Sequence, residues 1–530
     1  MRTAFATMLV AFCLTGTAPA WQMKQAPLMT QWATQVDTNN PLPEYPRPQM
    51  VRTQWLSLNG IWQFQSGATN DSAPTNQTLS SEILVPYPME SALSGVMQYS
   101  MFSWYRRVFT VPPAWNGKRI ILHLDAVDWE ARVFINGQLV GDHKGGYDPF
   151  SYDITPNLVG SGSQELVIGV YNPVDNAGEP RGKQTLFPGG IMYTSSSGIW
   201  QPVWLEPVDP SGISELKLIP DIDNTRLRLI VTTLSSNSVT LSATASGNGI
   251  TVNTVTGPAG AELDIPVPNA KLWTPDNPFL YDLRVSSLVS GMTNDTVTSY
   301  FGMRKISIGT TNAVKRMLLN NQFVFEMGPL DQGFWPDGIY TAPTDAALKY
   351  DLDLTKALGF NMVRKHIKVE RQRWYYWADK LGLLVWQDMP SVNSYTGNPK
   401  TIDTNQFELE LTQMVRTHWN SPAIIMWDIF NESQGQHDTA PLVSEVQALD
   451  PSRLVNQASG GSYFGVGDVL DNHSYPAPGN PTSSTQAPVD GEYGGIGFQM
   501  AGHLWNPALA GGNYIGANNT NDIATIYDGF

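Results

Sequence analysis

The chain has 530 residues, 42% hydrophobic, 11% aromatic and only 15% charged, so several packed cores are expected under a surface rich in uncharged polar residues, Gly and Pro. A formal net charge of -15, an isoelectric point near 4.9 and no basic patch argue against nucleic acid as a partner. The single cysteine, Cys13, leaves no disulfide framework and no thiolate metal site.

Residues 1–20, "MRTAFATMLVAFCLTGTAPA", combine Arg2, an apolar centre and an Ala18-Pro19-Ala20 cleavage pattern. They read as a secretory signal peptide, which predicts a secreted or periplasmic protein with no membrane attachment once the signal is cleaved. From Trp21 to about Arg52 the Pro-rich stretch "NNPLPEYPRPQ" suits an extended arm on the surface. Short alternating runs then follow from Leu56 to about Leu205, among them "IWQF", "SWYRRVFTV", "RIILHLDAV" and "PVWLEPV". Asn136-Gly137, between "RVFI" and "QLVG", is the strongest hairpin signal in the chain. Residues 21–208 are therefore expected to form the arm and a first all-β sandwich. Residues 209–309 repeat the strand pattern in "ISELKLIPDI", "RLRLIVTTL" and "LYDLRVSSL", and about seven short strands in about 100 residues is the size of an immunoglobulin-like sandwich.

After Asn320 apolar runs alternate with helical periodicity. "FVFEMG", "FNMVRKH", "LLVWQD", "AIIMWDIF", "RLVNQA", "DVLDNH" and "APVDGE" read as strands one to seven, with helices such as "TDAALKYDLDLTKALG", capped by Thr344 and stopped by Gly359, between them. Parallel strands covered on both faces have this appearance, and their number points to a (β/α)8 TIM barrel over residues 310–530. A doubly wound sheet is the alternative.

In such a barrel the chemistry sits at the C-terminal ends of the strands. Two strand ends carry a glutamate: Glu432 after strand four and Glu492 after strand seven, on opposing parts of the ring. Two facing carboxylates suit glycoside hydrolysis, one protonated to donate to the leaving oxygen and one ionised to attack the anomeric carbon. Their mutual repulsion favours that division. Each alone reads equally as a cap or a surface acid. Tyr475, after strand six, is a candidate to bond Glu492 or the sugar, and His473 is a candidate sugar contact. Asp331, Trp335 and Asp337, in the loop after strand one, and Asp388, after strand three, are candidate sugar contacts, because carboxylates bind hydroxyl pairs and an indole stacks on a pyranose. Trp335 reads equally as a packed loop anchor.

"RTHWNSPAIIMWDIFNES" closely resembles the acid/base signature of glycoside hydrolase family 2, whose members include β-galactosidases, β-glucuronidases and β-mannosidases. "LGFNMVRKHIKVERQRWYYWADKLGLLVWQDMP" is similar to its other signature region, and "WYRRVFTVP" and "SSSGIWQPVWLE" to segments of its first domain. The resemblance implies a jelly-roll sugar-binding domain, an immunoglobulin-like domain and a catalytic barrel. It implies Glu432 as general acid/base, Glu492 as nucleophile, Asn431 on the sugar 2-hydroxyl and Arg364 beside the nucleophile. Many members carry a histidine where this chain has Ile367, with His366 one position earlier as the substitute sugar contact. No cofactor and no essential metal are expected. The Asn-x-Lys pair with which β-glucuronidases hold a uronic carboxylate is not visible after Glu492, which weighs against glucuronides and leaves a β-galactoside as the first expectation. Because the sequence stops at Phe530, strand eight of the barrel is expected to be missing. The rival expectation is a carbohydrate-binding protein without turnover.

Overall fold

The computed structural model describes residues 20–67, 72–235, 239–392, 401–508 and 513–530. The signal peptide expected at 1–20 lies outside them except for Ala20. Among the described residues no helix is long and apolar enough to cross a membrane.

The first domain is a sandwich of two antiparallel sheets. One runs in the order Ser81–Val85, Gly60–Ser66, Phe102–Thr110, Ser163–Tyr171, Glu130–Ile135, Gln138–Lys144, and the other in the order Leu56–Ser57, Val203–Val208, Arg119–Leu124, Phe150–Asp153. Inward-facing Trp62, Tyr105, Leu122, Val133, Ile168 and Leu205 meet in one core. Asn136 and Gly137 both have positive φ, 49° and 78°, as the tight turn joining their two strands requires. The second domain pairs a three-stranded sheet with a four-stranded one, seven strands in all, closed over Leu229, Leu241, Leu283 and Val297. Strand Arg226–Thr233 buries every second residue, as a half-buried strand must.

The third domain is built of βα repeats. Its strands are β1 (Leu330–Asp331), β2 (Met362–Lys365), β3 (Leu384–Asp388), β4 (Ile424–Asp428), β5 (Leu454–Asn456), β6 (Val469–His473) and β7 (Ala487–Glu492). The helices α1 (Asp345–Ala357), α2 (Gln372–Leu381), α3 (Thr404–His418) and α4 (Thr439–Leu449) follow the first four strands in turn, and α5 (Thr520–Asp528) comes last. The pairs among these seven strands are parallel, with β1 to β5 side by side in sequence order and β6 beside β7, whereas the preceding strands Ile306–Thr311, Val314–Leu319 and Gln322–Phe323 pair antiparallel. A doubly wound sheet reverses its strand order at a switch point, whereas unbroken succession is how a barrel winds. Thr344 caps α1 through its hydroxyl, which accepts from the Ala347 N–H at 3.1 Å, and Gly382 ends α2 in the left-handed conformation.

Two boundaries differ from expectation. The strand expected at 323–328 pairs in parallel fashion only at Leu330–Asp331, because Pro329 in the intervening Gly328-Pro329 has no N–H to give to a ladder. Residue 309 falls inside the strand Ile306–Thr311, whose Ile306 packs in the core of the βα domain.

The domains are locked together by buried polar groups. Arg304, 2% exposed, leaves the second domain to donate to the carbonyls of Pro422 (3.0 Å), Ser452 (2.8 Å) and Ile424 (2.9 Å) beneath β4. Arg52 joins Glu206 of the first domain (2.9 Å) to Asp295 of the second (2.7 Å). Trp200 and Tyr147 of the first domain pack on Tyr340 of the loop after β1. Nearby, Arg181 and Gly182 both donate their N–H groups to the Ser391 carbonyl beyond β3, at 3.1 and 3.0 Å. Gly182 has a φ of +62°, and a Cβ there would come within 2.3 Å of the Ile367 carbonyl, so only glycine allows this approach.

Replacing Arg304 by Met strands three carbonyls and is expected to cost about 3 kcal/mol of stability. Urea unfolding followed by tryptophan fluorescence checks this, and an unchanged midpoint contradicts the tethering role.

Candidate active site

At the C-terminal end of β4 the apolar run turns abruptly. The Glu432 N–H donates to the Ser459 carbonyl and the Ser459 N–H to the Phe430 carbonyl, both at 2.8 Å, so the segment after β5 grips the chain on either side of Asn431. Glu432 and Ser433 then take positive φ values of 48° and 61°. Two successive non-glycine residues in that region carry a strain of about 1 kcal/mol or more each, held here by the flanking bonds and spent on aiming one carboxylate.

Facing it is Glu492, the last residue of β7, paired in register with His473, the last residue of β6. One oxygen of each glutamate and one nitrogen of His473 lie within 4.8 Å of one another. Such a set could also hold a metal ion, though the carboxylate chemistry needs none. The two acids differ in environment: the Glu432 side chain is 27% exposed and that of Glu492 9%.

Arg364 of β2 organises the site from beneath. Its guanidinium grips both oxygens of Asp388 (3.0 and 2.9 Å), donates to Glu492 Oε1 at 3.0 Å and to Asn431 Oδ1 at 3.0 Å. The Tyr475 hydroxyl donates a short hydrogen bond to the other oxygen of Glu492. Burial raises the Glu492 carboxyl, but the Arg364 charge, with the hydrogen bond from Tyr475, outweighs it and holds the group below the usual carboxylate range. Asp388 follows the same logic: burial opposes ionisation, and Arg364 with His366 brings it down to about 2. Asp428, paired with it in register, is pushed well above the usual range by burial and by the Asp388 charge. A protonated Asp428 beside an ionised Asp388 spares Arg364 a third anion.

The structure therefore brings Glu432, Glu492, Asn431, Arg364, His473 and Tyr475 together, as expected. Other expected sugar contacts fall elsewhere. Asp337 is fully buried and accepts from Thr30 of the N-terminal arm, from its N–H at 2.9 Å and its hydroxyl at 2.6 Å. Asp388 and His366, 1% and 2% exposed, bond each other at 2.9 Å and lie buried beside Arg364 beneath Glu492. Asp331 is held by Lys365 at 3.0 Å, and Trp335 packs on the core of the βα domain.

Three contributors had no sequence signal. Asp428 is a lone acid inside the apolar run of β4, and Ser459 an ordinary small residue in the polar Gly-rich stretch after β5. Lys183 comes from the first domain, carried in by the Arg181-Gly182 contact. Burial pushes its ammonium below the usual lysine range, and the charges of Glu492 and Glu432 offset that only in part. A lysine one domain away thus shares the field of both glutamates.

Two carboxylates this close, at the strand ends of a βα domain with the inner one held ionised, define a glycoside hydrolase site, since carboxyl groups about 5 to 5.5 Å apart leave no room for a water between nucleophile and sugar. Comparison with known proteins makes the family plain. Residues 68–178 match the model of the glycosyl hydrolases family 2 sugar binding domain, 212–304 that of glycosyl hydrolases family 2, and 341–475 that of the family's TIM barrel domain. The chain belongs to glycoside hydrolase family 2. Glu492 lies beyond the matched residues, so its place in the site rests on the geometry above.

Among its relatives, a β-galactosidase of Thermoanaerobacter pseudethanolicus is 29% identical over 67% of this chain and 48% of that protein. A β-glucuronidase of Streptococcus agalactiae is 24% identical over 77% of this chain and 72% of that protein. The crystal structure of a Bacteroides uniformis β-glucuronidase superposes with a TM-score of 0.67 at 22% identity, covering 84% of this chain and 60% of that one. The chain thus spans about half the length of the first of these relatives.

Removing Asp388 leaves a buried guanidinium short of its main partner, so Asp388→Asn is expected to cost about 3 kcal/mol at pH 7. Because the folded-state pKa of Asp388 is depressed, its contribution is fully present above about pH 4 and is lost as pH falls towards 2. Denaturant midpoints of parent and variant should keep a constant gap from pH 7 to about 4 and converge below it. A gap that widens on acidification contradicts the assignment.

Proposed function

We propose that the chain is a retaining β-glycosidase that removes terminal β-linked sugars by double displacement. The observation that carries this reading is the close pair of Glu432 and Glu492, with Arg364 and Tyr475 committing Glu492 to the ionised form. In the first step a Glu492 oxygen bonds to the anomeric carbon while the glycosidic bond breaks, and Glu432 gives its proton to the departing oxygen. In the second, Glu432 takes a proton from a water whose oxygen attacks the same carbon, and the bond to Glu492 breaks. Asn431, oriented by Arg364, would bond the sugar 2-hydroxyl as charge develops on the ring. With the export signal read in its first residues, the enzyme would act in the secreted or periplasmic space.

For the sugar, Lys183 favours an anionic one. A uronic carboxylate calls for a cation, and Lys183, buried in the first domain and within the field of both glutamates, is the candidate to supply it. The relatives quoted include both a β-galactosidase and β-glucuronidases, so an aryl β-galactoside and an aryl β-glucuronide are the decisive pair of substrates.

Proton NMR of the first-formed sugar should show the β anomer. Glu432→Ala should slow substrates with poor leaving groups by about 100-fold or more and dinitrophenyl glycosides far less. Accumulation of the α anomer, or equal losses on both substrate types, would refute the mechanism. Lys183→Met should erode the preference for the glucuronide about tenfold. An unchanged preference removes the case for an anionic sugar.

A further inference from the structure

His473 stands between the two glutamates, and its bonds fix which of its nitrogens carries the proton. Nδ1 lies 3.2 Å from Glu432 Oε1. Nε2 lies 2.8 Å from the Ser459 hydroxyl and 3.5 Å from Arg364 Nη1. The nearer acceptors of Nη1 are Glu492 Oε1 at 3.0 Å and the Gly491 carbonyl at 3.3 Å, but a guanidinium can only donate and carries a positive charge, so its approach disfavours an N–H on Nε2. The hydroxyl of Ser459 can donate to the same atom. Glu492 Oε1 is farther from Nε2, at 3.7 Å, and already takes an N–H of Arg364. The remaining charged groups around the ring are Asp471 on β6 and Asp490 on β7, and neither bonds an imidazole nitrogen among the described residues.

We infer that His473 is held as the Nδ1–H tautomer by Ser459 and Arg364 and is a positioning residue for Glu432, donating to its Oε1 so that Oε2 is the oxygen that exchanges the catalytic proton. A Cβ on Gly460 would fall within 2.4 Å of the His473 ring, and the φ of +60° there again calls for glycine. Ser459 also makes the two backbone bonds that flank Asn431, so one residue sets both the chain carrying Glu432 and the histidine that orients its carboxylate.

The catalytic consequence rests on the glycosidase reading. An N–H···O bond strengthens when its acceptor becomes an anion, which is the state of Glu432 after it has protonated the leaving group and before it activates water. His473 therefore eases proton release in the first step and holds the base ready for the second. A contact with the sugar is expected of His473 from the sequence, and its bond to Glu432 adds to it a role exerted through the acid.

Two measurements on the full chain test this. In 15N-histidine-labelled protein, with the His473→Gln spectrum assigning one of the seven histidines, His473 should show a protonated Nδ1 and a bare Nε2. A protonated Nε2, whether as the other tautomer or as imidazolium, overturns the inference. In kinetics, His473→Phe removes the N–H, and the alkaline limb of kcat/KM should rise by about one pH unit, with about a tenfold loss on substrates with poor leaving groups. His473→Asn, whose amide N–H falls near the lost Nδ1–H, should restore the limb. A limb unmoved in His473→Phe, or one that moves equally in both variants, overturns the positioning role. The spectrum reads the tautomer whether or not the chain turns over, so absence of glycosidase activity would refute the proposed function separately.

Discussion

A guanidinium almost stripped of water lies at the centre of this molecule, and its electrostatic balance constrains everything around it. Arg364 is 2% exposed, and an ion so placed loses several kcal/mol of hydration unless its surroundings return it. They do so with two anions and an amide oxygen: Asp388 in bidentate grip, Glu492 and Asn431. A third anion would overdraw the site, and Asp428, the next acid in the ring, is instead pushed towards its protonated form. The compensation is also what makes the site chemical, because the guanidinium that keeps Glu492 ionised also turns Asn431 and fixes the lone pair of His473.

The glutamate opposite is governed differently. Glu432 is more exposed, and backbone bonds and strain fix the chain that carries it. Among its partners is His473, at 3.2 Å from its Oε1. Glu492 is committed to ionisation by the Arg364 charge, and the two acids thus stand in different environments, as the proposed division of roles requires. The first domain enters this balance through Lys183, so the site belongs to two domains, and the glycine contact at Ile367 that seats the lysine is part of it.

The sequence makes the strand-end chemistry legible because apolar runs that stop at polar residues mark where a barrel strand leaves its core. Glu432, Glu492 and Tyr475 are found that way, while Arg364 is picked out by the family resemblance. The same rule misleads at Asp337, a loop acid whose partner Thr30 lies 307 residues earlier in an arm that sequence places only on the surface. It also misreads Asp388 and His366. Side chains of one parity on adjacent strands point to one side of a sheet, so both face Arg364, yet how deep they sit depends on the register between β2 and β3, which periodicity does not encode. Lys183 and Ser459 leave no trace in the sequence, since their roles arise only when separate elements are brought together.

The central claim is that Glu492 is the ionised nucleophile of a retaining glycosidase, and trapping tests it most directly. A 2-deoxy-2-fluoro glycoside with a dinitrophenyl leaving group, matched to the sugar the chain cleaves, should inactivate it with a burst of one equivalent of dinitrophenolate. Peptide mass analysis should then find the fluorosugar on Glu492. Attachment at Glu432 or elsewhere, or turnover that continues with no adduct, would contradict the account.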